Sequence, residues 1–187
     1  MGRWLARLFL KIMGWKIATS FPEGVNKGVI VAAPHTSNWD FVFARLALYL
    51  LNVPVKYTIK KEWIEIPVIG WFLQKAGAIA IDRSKQNSGK RASMTDQMTR
   101  IMLENENIFI LVTPEGTRSY APRWRSGFYH VAKNANVPIL LGFLNYQLKH
   151  AGIGPVIHPS GNMINDIEII KNFYRPIPGK FPENGVR

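Results

Sequence analysis

The chain contains no cysteine. That removes disulfide frameworks, thiolate nucleophiles and thiolate metal sites together. Acidic residues are also scarce. Twelve Asp and Glu stand against 24 Lys and Arg over 187 residues, for a formal charge of +12. Such an excess calls for an anionic partner, whether nucleic acid, an anionic membrane or a phosphorylated substrate, and does not choose among them. No uninterrupted apolar run reaches the roughly 20 residues that a spanning helix needs. The best candidate, residues 41–55, carries Arg45 and stops at Asn52 and Pro54, so it reads as a buried helix. The four histidines show no metal-ligand spacing. Nearly half of the composition is apolar, which excludes a disordered chain. With no repeat or linker, residues 1–187 are expected to form one domain.

The first seventeen residues narrow the anionic partner. Arg3, Arg7 and Lys11 recur at four-residue spacing, and Trp4, Leu5, Leu8, Phe9, Ile12 and Trp15 cover an apolar arc beside them. A helix over 1–17 with this pattern can lie in a bilayer interface, tryptophan at headgroup depth and cations near lipid phosphate. The same segment could instead be an ordinary helix packed on the domain. The charges interrupt the apolar run and no small-residue cleavage site follows, so a secretory signal is not expected. The expected attachment is peripheral, on the cytoplasmic face of the inner membrane.

Strand and helix patterns alternate along the rest. Strands are expected over 28–33, 55–59, 78–81, 108–112, 137–143 and 153–157. Helices are expected over 38–51, entered at Ser37 or Asn38, over 66–75, 88–104 and 128–134. Met94, Met98, Ile101 and Met102 share one face of the third helix, which reads first as core and second as a groove for an acyl chain. Such alternation implies an α/β fold, a mixed and largely parallel sheet flanked by helices.

Ligands of an α/β sheet gather beyond the carboxyl ends of its strands. Three of those ends are polar: residues 34–40, 82–84 and 113–119. His35 is the natural general base, because imidazole titrates at about 6.5 in water and is abundant there as the neutral acceptor. Asp40, five residues on, could orient it. A satisfied structural histidine is the competing reading. In Pro114-Glu115-Gly116-Thr117-Arg118 the glycine permits close ligand approach, and arginine suits bidentate phosphate recognition. A proline–glycine turn with solvated charges is the alternative. Arg83 has two readings as well, phosphate binding or pairing with Asp82.

The segment from His35 to Asp40 resembles the histidine-x4-aspartate motif of the glycerolipid acyltransferases, the group that includes 1-acylglycerol-3-phosphate acyltransferase. Residues 77–83 resemble the second block of that family, 114–118 the third, and Val137-Pro138 the fourth, in the family's order across residues 28–143. Pro34 stands where the family commonly has asparagine, and Thr113 where phenylalanine is frequent. The resemblance implies that His35 deprotonates an acceptor hydroxyl for attack on an acyl thioester while Asp40 orients His35. It also implies that Arg83, Glu115, Gly116, Thr117 and Arg118 hold the anionic head of the acceptor, with Lys61 nearby. The implied donor is an acyl carrier protein or coenzyme A thioester, and the implied acceptor a lyso-lipid, 1-acyl-glycerol-3-phosphate first. No metal or redox cofactor is expected. A non-catalytic nucleic-acid module is the distant rival, resting on the interleaving of basic and aromatic residues such as Arg123-Trp124-Arg125.

Overall fold

The computed structural model describes residues 2–75, 77–81 and 93–187. Seven strands form one sheet: β1 (Lys16–Ile17), β2 (Lys27–Ala32), β3 (Val55–Lys60), β4 (Ala78–Ile81), β5 (Ile108–Val112), β6 (Ile139–Asn145) and β7 (His150–Ile157). Their spatial order is β1-β7-β6-β2-β5-β3-β4. Every neighbouring pair is parallel except β6 and β7, which form an antiparallel hairpin. The described helices are α1 (Arg3–Ile12), α2 (Asn38–Leu50), α3 (Lys61–Ile64), α4 (Pro67–Lys75), α5 (Met94–Glu104), α6 (Gly127–Asn134) and α7 (Met163–Tyr174). The mixed, largely parallel α/β sheet read from the sequence is the observed fold class.

Alternation along the strands sorts the core into two faces. Val29, Val31, Ile108, Ile110, Ile139 and Leu141 pack with Met98 and Met102 of α5, Phe128 and Val131 of α6, and Ile170 and Tyr174 of α7. The residues between them, Ile30, Phe109, Leu111 and Leu140, pack with Leu48 of α2. On that second face Leu10 and Trp15 join α1 to Phe43 and Ala47 of α2, and to Leu144 and Ala151 of the hairpin.

The N-terminal helix is shorter than the expected 1–17. It ends at Ile12, because Gly14 adopts φ +76° and closes the helix. The Trp15 amide bonds to Leu10 O at 2.7 Å and the Gly14 amide to Lys11 O at 3.0 Å, which is the Schellman arrangement. This reversal turns Trp15 inward. Trp15 is only 5% exposed and stacks on Phe43 at 4.5 Å, so it is core and drops out of the proposed interfacial arc. Arg3 likewise leaves the basic stripe. Its guanidinium donates to Leu50 O and to Asn52 Oδ1, both at 2.5 Å, and so satisfies the carboxyl end of α2.

Three of these strands and α-helices were not expected. β1 is two residues long, and α3 one turn, too short for either to carry a periodic signal. α7 is longer. Its apolar residues lie on more than one side, with Ile170 buried and Ile164 81% exposed, and that blurs the helical period. Its start is nonetheless capped, Asn162 Oδ1 accepting the Asn165 amide at 3.2 Å. The expected helix over 88–104 is observed as α5, which starts at Met94 behind a Ser93 cap; residues 88–92 of that expectation lie outside the described residues.

Candidate active site

The parallel strands β2, β5 and β6 end on one edge of the sheet, and the candidate residues follow from that edge. After β2 the chain passes through Ala33–Pro34, a cis peptide bond, to His35 and then enters α2. Ser37 caps that helix. It forms a reciprocal capping box with Asp40, the acidic residue of the first turn. The cap residue types therefore also fix where Asp40 can reach.

Asp40 Oδ2 accepts the amides of Thr36 and Ser37, each at 2.8 Å, and lies 3.1 Å from His35 Nδ1. A carboxylate only accepts, so the imidazole carries its proton on Nδ1 and leaves Nε2 as the free acceptor. Asp40 Oδ1 accepts the Tyr146 hydroxyl at 2.5 Å. Burial pushes the Asp40 carboxyl upward in pKa, but the donors from His35, Tyr146, Ser37 and Thr36 outweigh it and hold the group below the usual carboxylate range. Asp40 is thus charged at neutral pH and faces an imidazole it can orient.

The segment after β5 turns sharply. The Gly116 amide bonds to Thr113 O at 3.1 Å, with Pro114 and Glu115 in the middle of the turn. Gly116 has φ +66°, and a Cβ there would fall 2.6 Å from Arg125 Nε. The left-handed backbone favours glycine, and a Cβ here would have to push the Arg125 side chain aside. Thr117 Oγ1 accepts the Ser119 amide at 3.3 Å, and the Arg118 guanidinium donates to Asn38 Oδ1 at the start of α2. The Arg125 amide bonds to Pro114 O at 2.8 Å, which lays Arg125 along the same turn.

A cavity of about 650 Å³ opens here. His35, Asp40, Gly116, Thr117, Arg118 and Arg125 line its polar part, and Phe41, Leu48, Met94, Met98 and Leu111 are among its apolar walls. The structure therefore brings His35, Asp40, Gly116, Thr117 and Arg118 together. Met94 and Met98 serve core and cavity at once.

Glu115 departs from its expected place. It is buried and is not among the residues lining the cavity. Its Oε1 accepts the His35 amide at 3.0 Å, so it supports the histidine loop from behind and does not face an acceptor's head. The physical reason is the turn, which points Thr117 and Arg118 outward and sends Glu115 under the strand end. Burial raises its pKa, opposed by the His35 amide and the nearby imidazole. Lys61 opens α3 just past the carboxyl end of β3, on the same sheet edge. Arg83, with Asp82 and Ser84, lies outside the described residues.

Two residues at the site were not singled out as site residues from sequence. Arg125 had a signal, since it extends the basic run after the third block. Tyr146 had none. It stands 106 residues from its partner Asp40, in a hairpin with no recognisable motif.

Residues 16–140 match the family model described as Acyltransferase. An uncharacterized acyltransferase of Schizosaccharomyces pombe is 32% identical over 168 residues, covering 85% of this chain and 55% of that protein. The 1-acyl-sn-glycerol-3-phosphate acyltransferase of Pseudomonas aeruginosa is 27% identical, covering 84% of this chain and 64% of its own. The crystal structure of the 1-acyl-sn-glycerophosphate (LPA) acyltransferase PlsC from Thermotoga maritima superposes with a TM-score of 0.62, over 91% of this chain and 76% of that one. At 16% identity, that last match is a likeness of fold. The chain spans between a third and two thirds of the length of the curated relatives it matches. All eight residues singled out from sequence fall inside the matched segment 16–140. This chain belongs to the glycerolipid acyltransferase family.

Proposed function

We propose that the protein transfers a fatty acyl group from a thioester carrier to the free hydroxyl of a lyso-lipid, with 1-acyl-glycerol-3-phosphate as acceptor and phosphatidic acid as product. The observation that carries this reading is the His35 Nδ1···Asp40 Oδ2 contact, which leaves Nε2 as the acceptor of an imidazole that lines the same cavity as Arg118 and Arg125. His35 Nε2 takes the proton of the acceptor hydroxyl as its oxygen attacks the thioester carbonyl carbon. Collapse of the tetrahedral intermediate forms the ester and breaks the carbon–sulfur bond. The imidazolium then returns the proton to the departing thiolate. Asp40 stabilises the imidazolium in between. Arg118 and Arg125 are placed to hold the acceptor's phosphate. The apolar walls suit an acyl chain, and thiolate leaves without help from a metal or redox cofactor.

The donor in this reading is an acyl carrier protein or coenzyme A thioester, both anionic and matched to the positive surface. Docking is peripheral, through α1, on the cytoplasmic face of an anionic membrane. Trp4 and Ile12 are 65% and 73% exposed, and Arg7 and Lys11 are exposed beside them. No helix among the described residues is long and apolar enough to cross a membrane.

The test is transfer of labelled acyl groups from both carriers to a panel of lyso-lipids, comparing wild type with His35→Ala. The expected result is phosphatidic acid from lysophosphatidic acid, reduced by about 10²–10⁴-fold in the variant. Product from another lyso-lipid alone would keep the mechanism and replace the acceptor. Equal rates from the variant would remove His35 from the chemistry.

A further inference from the structure

Tyr146 follows the last residue of β6 and belongs to no motif block of the sequence. The two oxygens of Asp40 are held very differently. Oδ2 is bound at the entrance of α2 by two amides and by His35, whereas Oδ1 receives the Tyr146 hydroxyl. Tyr146 is itself fixed at both ends. Its amide donates to Pro178 O at 3.1 Å, and its ring meets Trp15 edge-on at 4.9 Å and Phe43 at 6.2 Å. Burial and the adjacent carboxylate both push its phenol pKa up, so the group remains a hydrogen-bond donor throughout the working pH range.

We propose that Tyr146 is a positioning residue of the reaction, acting on His35 through Asp40. The hydroxyl locks the carboxylate plane and draws off part of its charge, which limits how tightly Asp40 holds a proton on the imidazole. A carboxylate without this donor is a stronger partner for imidazolium, and His35 would then be protonated, and idle as a base, up to a higher pH. Among the described residues, few groups lie close to Asp40. They are His35 on the adjoining loop, Glu115 after β5 and Tyr146 after β6, with Arg118 bonded to the neighbouring Asn38. The C-terminal segment contributes Lys180, near the Trp39 ring, and the turn after α1 contributes the uncharged Trp15. None of the others donates to Oδ1.

This inference rests on the general-base reading of His35. Its test is Tyr146→Phe, which keeps the ring and its packing on Trp15 and removes only the hydroxyl. Acyl transfer is measured against pH in wild type and variant, with thermal melts alongside. The expected result is kcat lower by about tenfold, KM for the acceptor within about twofold, and the acid limb of kcat/KM moved to higher pH. A superimposable acid limb with kcat within twofold overturns the proposal, and so does a loss that tracks only a lower melting temperature. A second measurement needs no turnover. In ¹⁵N-imidazole spectra the His35 Nδ1 proton should move to lower field in Tyr146→Phe, as its bond to Asp40 strengthens. An unmoved resonance overturns the proposal. Wild type without transfer to any lyso-lipid would sink the functional reading, and these spectra would still decide the role of Tyr146.

Discussion

Glu115 Oε1 accepts the backbone amide of His35 at 3.0 Å, while its other oxygen is buried without a partner among the described residues. Two loops from different strands are joined by this bond, and the candidate base is held by it through the main chain. An amide side chain could supply the same acceptor and carry no charge.

Glu115→Gln is therefore expected to fold and to retain most activity, whereas Glu115→Ala leaves the half-buried His35 amide without this partner and costs about 1 kcal/mol. The pH dependence separates the two forms of residue 115. The folded-state pKa of Glu115 is raised, so its unfavourable ionisation is absent below the unfolded carboxyl value of about 4.3 and is complete only above the folded value. Stability should fall across that window in the wild type and fall less in Glu115→Gln. Melting temperature against pH checks both statements.

Asp40 has the opposite sign. Its folded pKa is depressed, so its stabilisation is present above the unfolded value of about 3.9 and is lost as pH drops through the folded value. Asp40→Asn should flatten the acid side of the stability curve. It also sets an amide N–H against the donors from Thr36, Ser37 or Tyr146, for a loss of roughly 1–3 kcal/mol at neutral pH. Acyl transfer should drop by about 10⁴-fold, because the wrong imidazole tautomer is favoured. Chemical denaturation and initial rates on the same preparation give both numbers.

Gly116→Ala forces a Cβ into a left-handed backbone and against Arg125. The backbone alone costs about 1–2 kcal/mol. Displacement of Arg125 should appear as a raised KM for the phosphate-bearing acceptor with a smaller change in kcat. Equal losses in kcat and kcat/KM, with KM unchanged, would place Arg125 away from ground-state binding.

The pair Trp4→Ala and Ile12→Ala removes the two most exposed apolar side chains of α1. Partition onto anionic vesicles should weaken by tenfold or more, and vesicle sedimentation measures it. Trp15→Ala should instead lower the melting temperature, since that ring is buried on Phe43. A vesicle-binding defect in Trp15→Ala at unchanged stability would contradict its place in the core.

Much of the site was legible because it is local. The capping box at Ser37 and Asp40 and the turn at Pro114–Gly116 are short-range signals, and each lies next to a strand whose apolar run is unmistakable. The inward place of Glu115 is not legible in the same way, because residue types in a turn do not state which side chains point inward. Trp15 sits at helical spacing with the apolar arc of α1, yet Gly14 ends the helix before it and turns the ring inward. α7 was missed because its apolar residues are not confined to one side.

By itself the sequence determined the strand–helix alternation, the cap that brings Asp40 back toward His35, and the cationic residues at strand ends. These depend on interactions within about five residues, where residue type constrains backbone geometry directly. Only the tertiary structure decided that β6 lies beside β2, so that Tyr146 meets Asp40 across 106 residues, and that Glu115 bonds the His35 amide across 80. Those contacts arise when apolar faces stack the strands in the order β6-β2-β5, a consequence of packing the whole core that no local pattern encodes.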